Sequence, residues 1–130
     1  DGKVVLFGLP GAFTSTCSKL HLPGFVANAD KIKAKGIEQI FCLSVNDPYV
    51  MNGWGEINNT TGKIKMLSDP YLLFTKAIGA EVDRNAKGMG IRSNRYLIVI
   101  ENFTVVNIHE EKETKECGLT SAENLLNNLL

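Results

Sequence analysis

The strongest constraint on the fold is an alternation of short apolar runs with helical patterns that continues through the first two thirds of the chain. Val4 to Leu9 is apolar on both faces, as expected of a central strand in a covered sheet. Cys17 to Lys35 then carries Leu20, Phe25 and Ile32 at loosely helical spacing, and Gly36 ends it. A second strand reads from Glu38 to Val45 and a short third from Lys63 to Leu67, with helices following each. Tyr96–Glu101 and Phe103–His109 are two further runs joined around Glu101-Asn102, which predicts a hairpin. The order β-α-β-α-β-α-β-β-α requires right-handed parallel crossovers and an antiparallel edge. The expectation is a single α/β domain over residues 1–130, with a central mixed sheet flanked by helices.

Local signals set the boundaries. Pro23-Gly24 predicts a kink or two helical pieces, since proline removes a ladder bond. Asn46-Asp47-Pro48 is a helix start, with a capping aspartate and proline in the first turn. Ser68-Asp69-Pro70 repeats it and predicts a helix over Tyr71–Ile78. Residues 80–90 have two glycines, scattered charge and little periodicity, and read as a loop. Thr120 with Glu123 forms the pattern of a capping box before the apolar stripe Leu125, Leu126, Leu129 and Leu130.

Charge and cysteine usage exclude several classes. Lysine plus arginine equals aspartate plus glutamate at 14 each, so electrostatics gives no case for nucleic acid or an anionic membrane as partner. No apolar run approaches the ~20 residues that span a bilayer. Cys17, Cys42, Cys117, His21 and His109 are widely scattered, without the short spacing of a metal site. An odd number of cysteines fits a reducing compartment better than a disulfide-stapled scaffold.

The chemistry centres on Leu9-Pro10-Gly11-Ala12-Phe13-Thr14-Ser15-Thr16-Cys17-Ser18. A cysteine in the first turn of a helix meets backbone N–H groups without intrahelical partners and the positive dipole end. Both favour thiolate, the reactive form. Pro10 can hold a rigid turn beside the sulfur, and Thr14 lies close enough to send its hydroxyl back toward the thiol.

Pro10 to Ser18 resembles the peroxidatic loop of the peroxiredoxins, whose pattern is Pro-x-x-x-Thr-x-x-Cys. Leu22-Pro23-Gly24-Phe25, Leu43-Ser44-Val45-Asn46-Asp47 and Gly90-Ile91-Arg92-Ser93-Asn94-Arg95-Tyr96 narrow the similarity to the type II, or peroxiredoxin-5-like, branch. It runs from Val4 to the C-terminus; Ser15 departs from the proline that many relatives carry. The resemblance implies a thioredoxin-like fold with a peroxiredoxin-type insertion, and a further N-terminal stretch preceding this chain.

The implied activity is reduction of hydrogen peroxide and small alkyl hydroperoxides through a sulfenic acid at Cys17, without a cofactor. Thr16 and Cys17 would bind the peroxide through backbone N–H groups, with the Thr14 hydroxyl and the Arg95 guanidinium. Pro10 would shield the sulfur. Arg92 and Arg84 compete for the arginine role, and His21, one turn beyond Cys17, reads as a polar-face residue. Cys42 stands where plant-like members carry a resolving cysteine. Animal-type members carry theirs just after Gly-Leu-Thr, where this chain has Ser121, with Cys117 three residues before Thr120. The reductant would be glutathione with glutaredoxin, or thioredoxin. The resemblance further implies a homodimer using Phe13, Pro48, Tyr49 and Trp54, and a cytoplasmic or organellar setting, mitochondrial or plastid.

Two other readings compete. A thioredoxin- or glutaredoxin-like disulfide oxidoreductase would need Cys-x-x-Cys, and Thr14-Ser15-Thr16-Cys17 lacks the first cysteine. A redox-signalling or holdase protein with a vestigial site would not need Pro10, Thr14, Cys17 and Arg95 together.

Overall fold

The computed structural model describes residues 2–114 and 116–130. In chain order the elements are β1 (Lys3–Gly8), a π-helical turn (Cys17–His21), α1 (Leu22–Ala34), β2 (Ile37–Ser44), α2 (Pro48–Ile57), β3 (Lys65–Ser68) and α3 (Leu73–Ala77). After these come β4 (Glu81–Asp83), β5 (Ile91–Ser93), β6 (Tyr96–Glu101), β7 (Thr104–Glu110) and α4 (Ala122–Asn124), which continues as a π-helical segment over Leu125–Leu129.

The main sheet has the order β3-β2-β1-β6-β7. β1 runs parallel to β2, and β2 parallel to β3, while β6 is antiparallel to β1 and to β7. This is the mixed sheet flanked by helices that the alternation of elements predicts. Because β1 is central, its side chains are needed on both faces. Val5 and Phe7 join Phe25 and Ile32 of α1, Trp54 of α2, Leu97 of β6 and the buried Leu125 in one core. Leu6 joins Leu43, Tyr96 and Ile98 in a second core, against which Phe74 and Ile78 pack. Phe7 and Phe25 stack with ring centroids 4.0 Å apart, which fixes α1 directly over β1. Gly8 pairs with Tyr96, and a Cβ there would lie 2.1 Å from the tyrosine ring, so only glycine admits this close approach.

Four local expectations change. α3 begins at Leu73 rather than Tyr71, because Leu72 is left-handed with φ 61°. Asp69 still serves the helix, accepting from the N–H groups of Phe74 and Thr75 and from the Thr75 hydroxyl. Residues 80–90 are not simply a loop: β4 there pairs with β5 as an antiparallel ribbon, too short to leave a periodic signal. The hairpin turn is Asn102-Phe103, both at positive φ (51° and 68°), so β7 starts at Thr104. The capping box does not form. Ser121 caps α4 by accepting from Asn124 N, and the Thr120 hydroxyl donates to Glu111 instead.

Candidate active site

β1 ends at Gly8 and releases the chain into the turn that precedes Cys17, and neighbouring elements hold that turn from three sides. Leu9 N donates to the Leu43 carbonyl at 3.2 Å. Asn46 Oδ1 accepts from Ala12 N at 2.8 Å and from the Ser44 hydroxyl at 2.7 Å. Arg92 donates through Nη1 to the Pro10 carbonyl at 3.2 Å and through Nε to the Met89 carbonyl. It packs so close beneath the turn that a Cβ on Gly11 would lie 2.7 Å from its Nη1. Phe13 is held at φ 66°, a strained geometry for an aromatic residue that survives only where its surroundings enforce it. The Thr14 hydroxyl does not turn back to the sulfur as expected; it donates to the Gly11 carbonyl at 2.7 Å. Both hydroxyl lone pairs therefore stay available as acceptors.

Cys17 opens the π-helical turn and is fully buried. Arg95 Nη2 donates to its sulfur at 3.2 Å. The same guanidinium gives Nε and Nη2 to the Thr114 carbonyl, at 3.1 and 2.8 Å, and Nη1 to His21 Nδ1 at 2.8 Å. Arg95 is 1% exposed, so a planar charged fork is fixed in the interior with its donors assigned to three different partners.

His21 is therefore part of the arrangement, not a residue of a polar face. Its Nε2 lies 3.0 Å from the Thr120 carbonyl, which can only accept, and its Nδ1 meets a guanidinium, which can only donate. Only the neutral ring with hydrogen on Nε2 satisfies both. Burial, followed by the Arg95 charge, lowers its pKa to about 3. The unfolded chain takes up a proton near pH 6.5, while the folded protein resists until far lower pH. Stability is thus complete above about pH 6.5 and is lost as pH falls toward 3. The loss is about 1.4 kcal/mol per pH unit at most, or roughly 2 kcal/mol by pH 5. Thermal unfolding at pH 7.5 and 5.0 should show His21→Gln losing distinctly less stability than the parent; equal losses would contradict this assignment.

The segment after β7 supplies the two carbonyls in this network, and Glu111 folds it. The buried Glu111 Oε2 accepts from Gly118 N (2.9 Å), Thr120 N (2.8 Å) and the Thr120 hydroxyl (2.7 Å). Nothing in the sequence singles out Glu111, which stands in the charged run Glu110-Glu111-Lys112-Glu113. In the sequence Asn46 reads as a helix-start residue and as part of the block Leu43–Asp47, with no sign that it holds the turn.

A cavity of about 100 Å³ opens beside Arg95, lined among others by Pro10, Thr14, Thr16, Arg84 and Met89. Pro10, Thr14, Thr16 and Arg95 thus share one small space, and the same Arg95 donates to the Cys17 sulfur. Cys42 is fully buried in β2, opposite Phe7, and burial, followed by nearby Cys17, pushes its thiol well above the ordinary range. Cys117 is half-buried; burial raises its thiol too, with the Arg95 charge opposing. All three cysteines are free thiols. Trp54 is buried and donates to the Ser18 hydroxyl at 3.0 Å, whereas Phe13 and Tyr49 are exposed. Among the described residues there is no cluster suited to a metal, and no helix is long and apolar enough to cross a membrane.

Comparison with known proteins bears on this geometry. The family model described as Redoxin matches residues 1–126. Peroxiredoxin-2D of Arabidopsis thaliana is 44% identical over 95% of this chain and 76% of its own length. Peroxiredoxin-2C of Oryza sativa subsp. japonica is 49% identical over 83% of this chain and 68% of its own. Among solved structures, reduced Prx3 of Vibrio vulnificus in complex with hydrogen peroxide superposes with a TM-score of 0.90. It shares 46% identity and covers 96% of this chain and 76% of that one.

Proposed function

The chain belongs to the Redoxin family and is a thiol peroxidase of the peroxiredoxin kind, and from that premise we propose that Cys17 is its peroxidatic cysteine. One observation carries the proposal: the Arg95 guanidinium donates to Cys17 Sγ at 3.2 Å while Thr114 and His21 fix its direction. Deprotonated Cys17 attacks the distal oxygen of hydrogen peroxide or a small alkyl hydroperoxide. An S–O bond forms as the O–O bond breaks, the sulfur loses two electrons, and the departing oxygen takes a proton to leave as water or alcohol. Negative charge moves from sulfur to the departing oxygen during this step, and a guanidinium fork already hydrogen-bonded to the sulfur stabilises it. Thr14 accepts a hydrogen bond from the peroxide O–H, and Thr16 and Cys17 contribute backbone N–H groups. Pro10 limits water at the cavity. The sulfur is reached by a small opening of the π-helical turn, a geometry frequent at functional sites.

A thiol then attacks the sulfenic acid, releasing water and leaving a disulfide at Cys17. Cys42 stays in the sheet and would have to leave β2 to serve, so it does not resolve. Half-buried Cys117 is the more accessible internal partner, and external glutathione with glutaredoxin, or thioredoxin, completes the cycle. Treating the reduced protein with one equivalent of peroxide in the presence of glutathione, then mapping disulfides by mass spectrometry, tests this. The expected products join Cys17 to glutathione or to Cys117. A Cys17–Cys42 bridge as the main product, or oxidation that spares Cys17, would overturn the scheme.

Phe13, Pro48 and Tyr49 lie exposed beside the turn, while Trp54 is committed to the interior. Exposed aromatics such as Phe13 and Tyr49 anchor interfaces, and with Pro48 they support a homodimer through one self-complementary patch. Sedimentation velocity over a hundredfold concentration range should show a concentration-dependent dimer. Monomer alone at every concentration, reduced and oxidised, would contradict it.

A further inference from the structure

Arg84 has no assigned task, yet it lines the same cavity as Thr14 and Arg95. Its backbone closes the loop after β4: Arg84 N donates to the Gly90 carbonyl at 2.7 Å, and the Arg84 carbonyl accepts from Lys87 N and Met89 N. The loop thereby places the side chain at the cavity that the turn also lines. Arg84 Nε is shut off from solvent and has no hydrogen-bond partner. A buried donor of a charged group left without an acceptor is costly, and proteins seldom keep one without a use.

Every nitrogen of Arg95 has a partner in Cys17, His21 or Thr114, so that charge is committed to the reacting sulfur. The Arg84 side chain makes no ion pair among the described residues, and no carboxylate among them lines the cavity. Among the described residues, a group entering the cavity therefore meets the cations of Arg84 and Arg95 and no carboxylate. The cavity is small, about 100 Å³, and Arg84 and Arg95 both line it, so a polar group held by Arg84 sits near the reacting one.

We propose that Arg84 is a binding residue for a carboxylate, carried a few bonds away either on an organic hydroperoxide or on the thiol that reduces oxidised Cys17. Guanidinium matches carboxylate in a planar, bidentate fashion, and the pairing strengthens in a small, water-poor cavity. The inference rests on the peroxidase reading above and adds a substrate preference to it.

The test is Arg84→Leu, with Arg84→Lys as the conservative variant. In the oxidative arm, rates of Cys17 oxidation are measured with 3-hydroperoxy-3-methylbutanoate, its methyl ester and hydrogen peroxide. In the reductive arm, recovery of the thiol from the sulfenic acid is followed with glutathione and with its diethyl ester. The expected result is a loss of about tenfold for the charged member of one pair in Arg84→Leu, partly restored in Arg84→Lys. The matched ester and hydrogen peroxide should stay within about twofold. The arm showing the loss identifies the source of the carboxylate.

If Arg84→Leu proves poorly folded, the parent protein decides alone: its rate with the charged member should exceed that with the ester and fall with added salt. No discrimination between acid and ester in either arm would overturn the proposal while leaving the peroxidase reading intact. A parent protein that fails to consume hydrogen peroxide would instead overturn the peroxidase reading itself.

Discussion

Replacing Cys17 with serine should reduce peroxide consumption to the background of a protein without an active thiol, while Cys42→Ser and Cys117→Ser leave the oxidation step largely intact. The substitution removes one polarisable atom and little volume, so the fold should persist. A hydroxyl at that position is far less acidic than a thiol and does not attack an O–O bond. Neither other thiol can stand in. Cys42 is buried in β2, where burial and neighbouring Cys17 oppose its ionisation, and Cys117 lacks a guanidinium hydrogen-bonded to its sulfur. The expected loss is about a thousandfold or more, the scale on which removal of a nucleophile acts. Peroxide consumption by a folded Cys17→Ser protein at the parental rate would end this account.

The second large effect concerns the arginines. Arg95→Ala should lower the second-order rate with hydrogen peroxide by about tenfold or more, equal to about 1.4 kcal/mol of transition-state stabilisation. Loss of one fixed donor at a developing anion commonly costs more. The variant will also be less stable, since His21 Nδ1 and the Thr114 carbonyl lose their partners. Both rate and melting temperature must therefore be measured. Arg95→Lys should rescue little, because an ammonium cannot reach Cys17, His21 and Thr114 together. Arg92→Ala should cost only a few fold. Arg92 supports the Pro10 and Met89 carbonyls and makes no hydrogen bond to the sulfur. Equal losses for Arg92→Ala and Arg95→Ala, with both proteins folded, would show that the roles are misassigned.

These assignments differ in how visibly the sequence carries them. The strands and main helices are legible from local signals: the doubly apolar Val4–Leu9, the buried Phe25 and Ile32 of α1 (Leu20, of the same pattern, is exposed), and the cap of Asp47, whose carboxylate accepts from Val50 N at 2.9 Å. The β4–β5 ribbon is not, since three-residue strands leave no period to read. The capping box misleads for another reason. Thr120 has the right spacing to Glu123, but Glu111, nine residues away, takes its hydroxyl and leaves Ser121 to cap.

The same holds at the site. Cys17, Thr14 and Pro10 are grouped by chain proximity, and Arg95 through family resemblance. His21 and Glu111 join through tertiary contacts over 74 and 9 residues. Arg84 differs again, because what singles it out is an unpartnered atom in a folded interior.

The most direct measurement is stopped-flow mixing of the fully reduced protein with hydrogen peroxide, followed by fluorescence. Trp54, the single tryptophan, donates to the hydroxyl of Ser18, the residue next to Cys17, so its emission reports on the reacting turn. The account predicts a fast fluorescence change whose rate rises linearly with peroxide and which disappears in Cys17→Ser. The same peroxide-dependent phase in Cys17→Ser, or no phase in a reduced, folded parent that leaves Cys17 unoxidised, would contradict it.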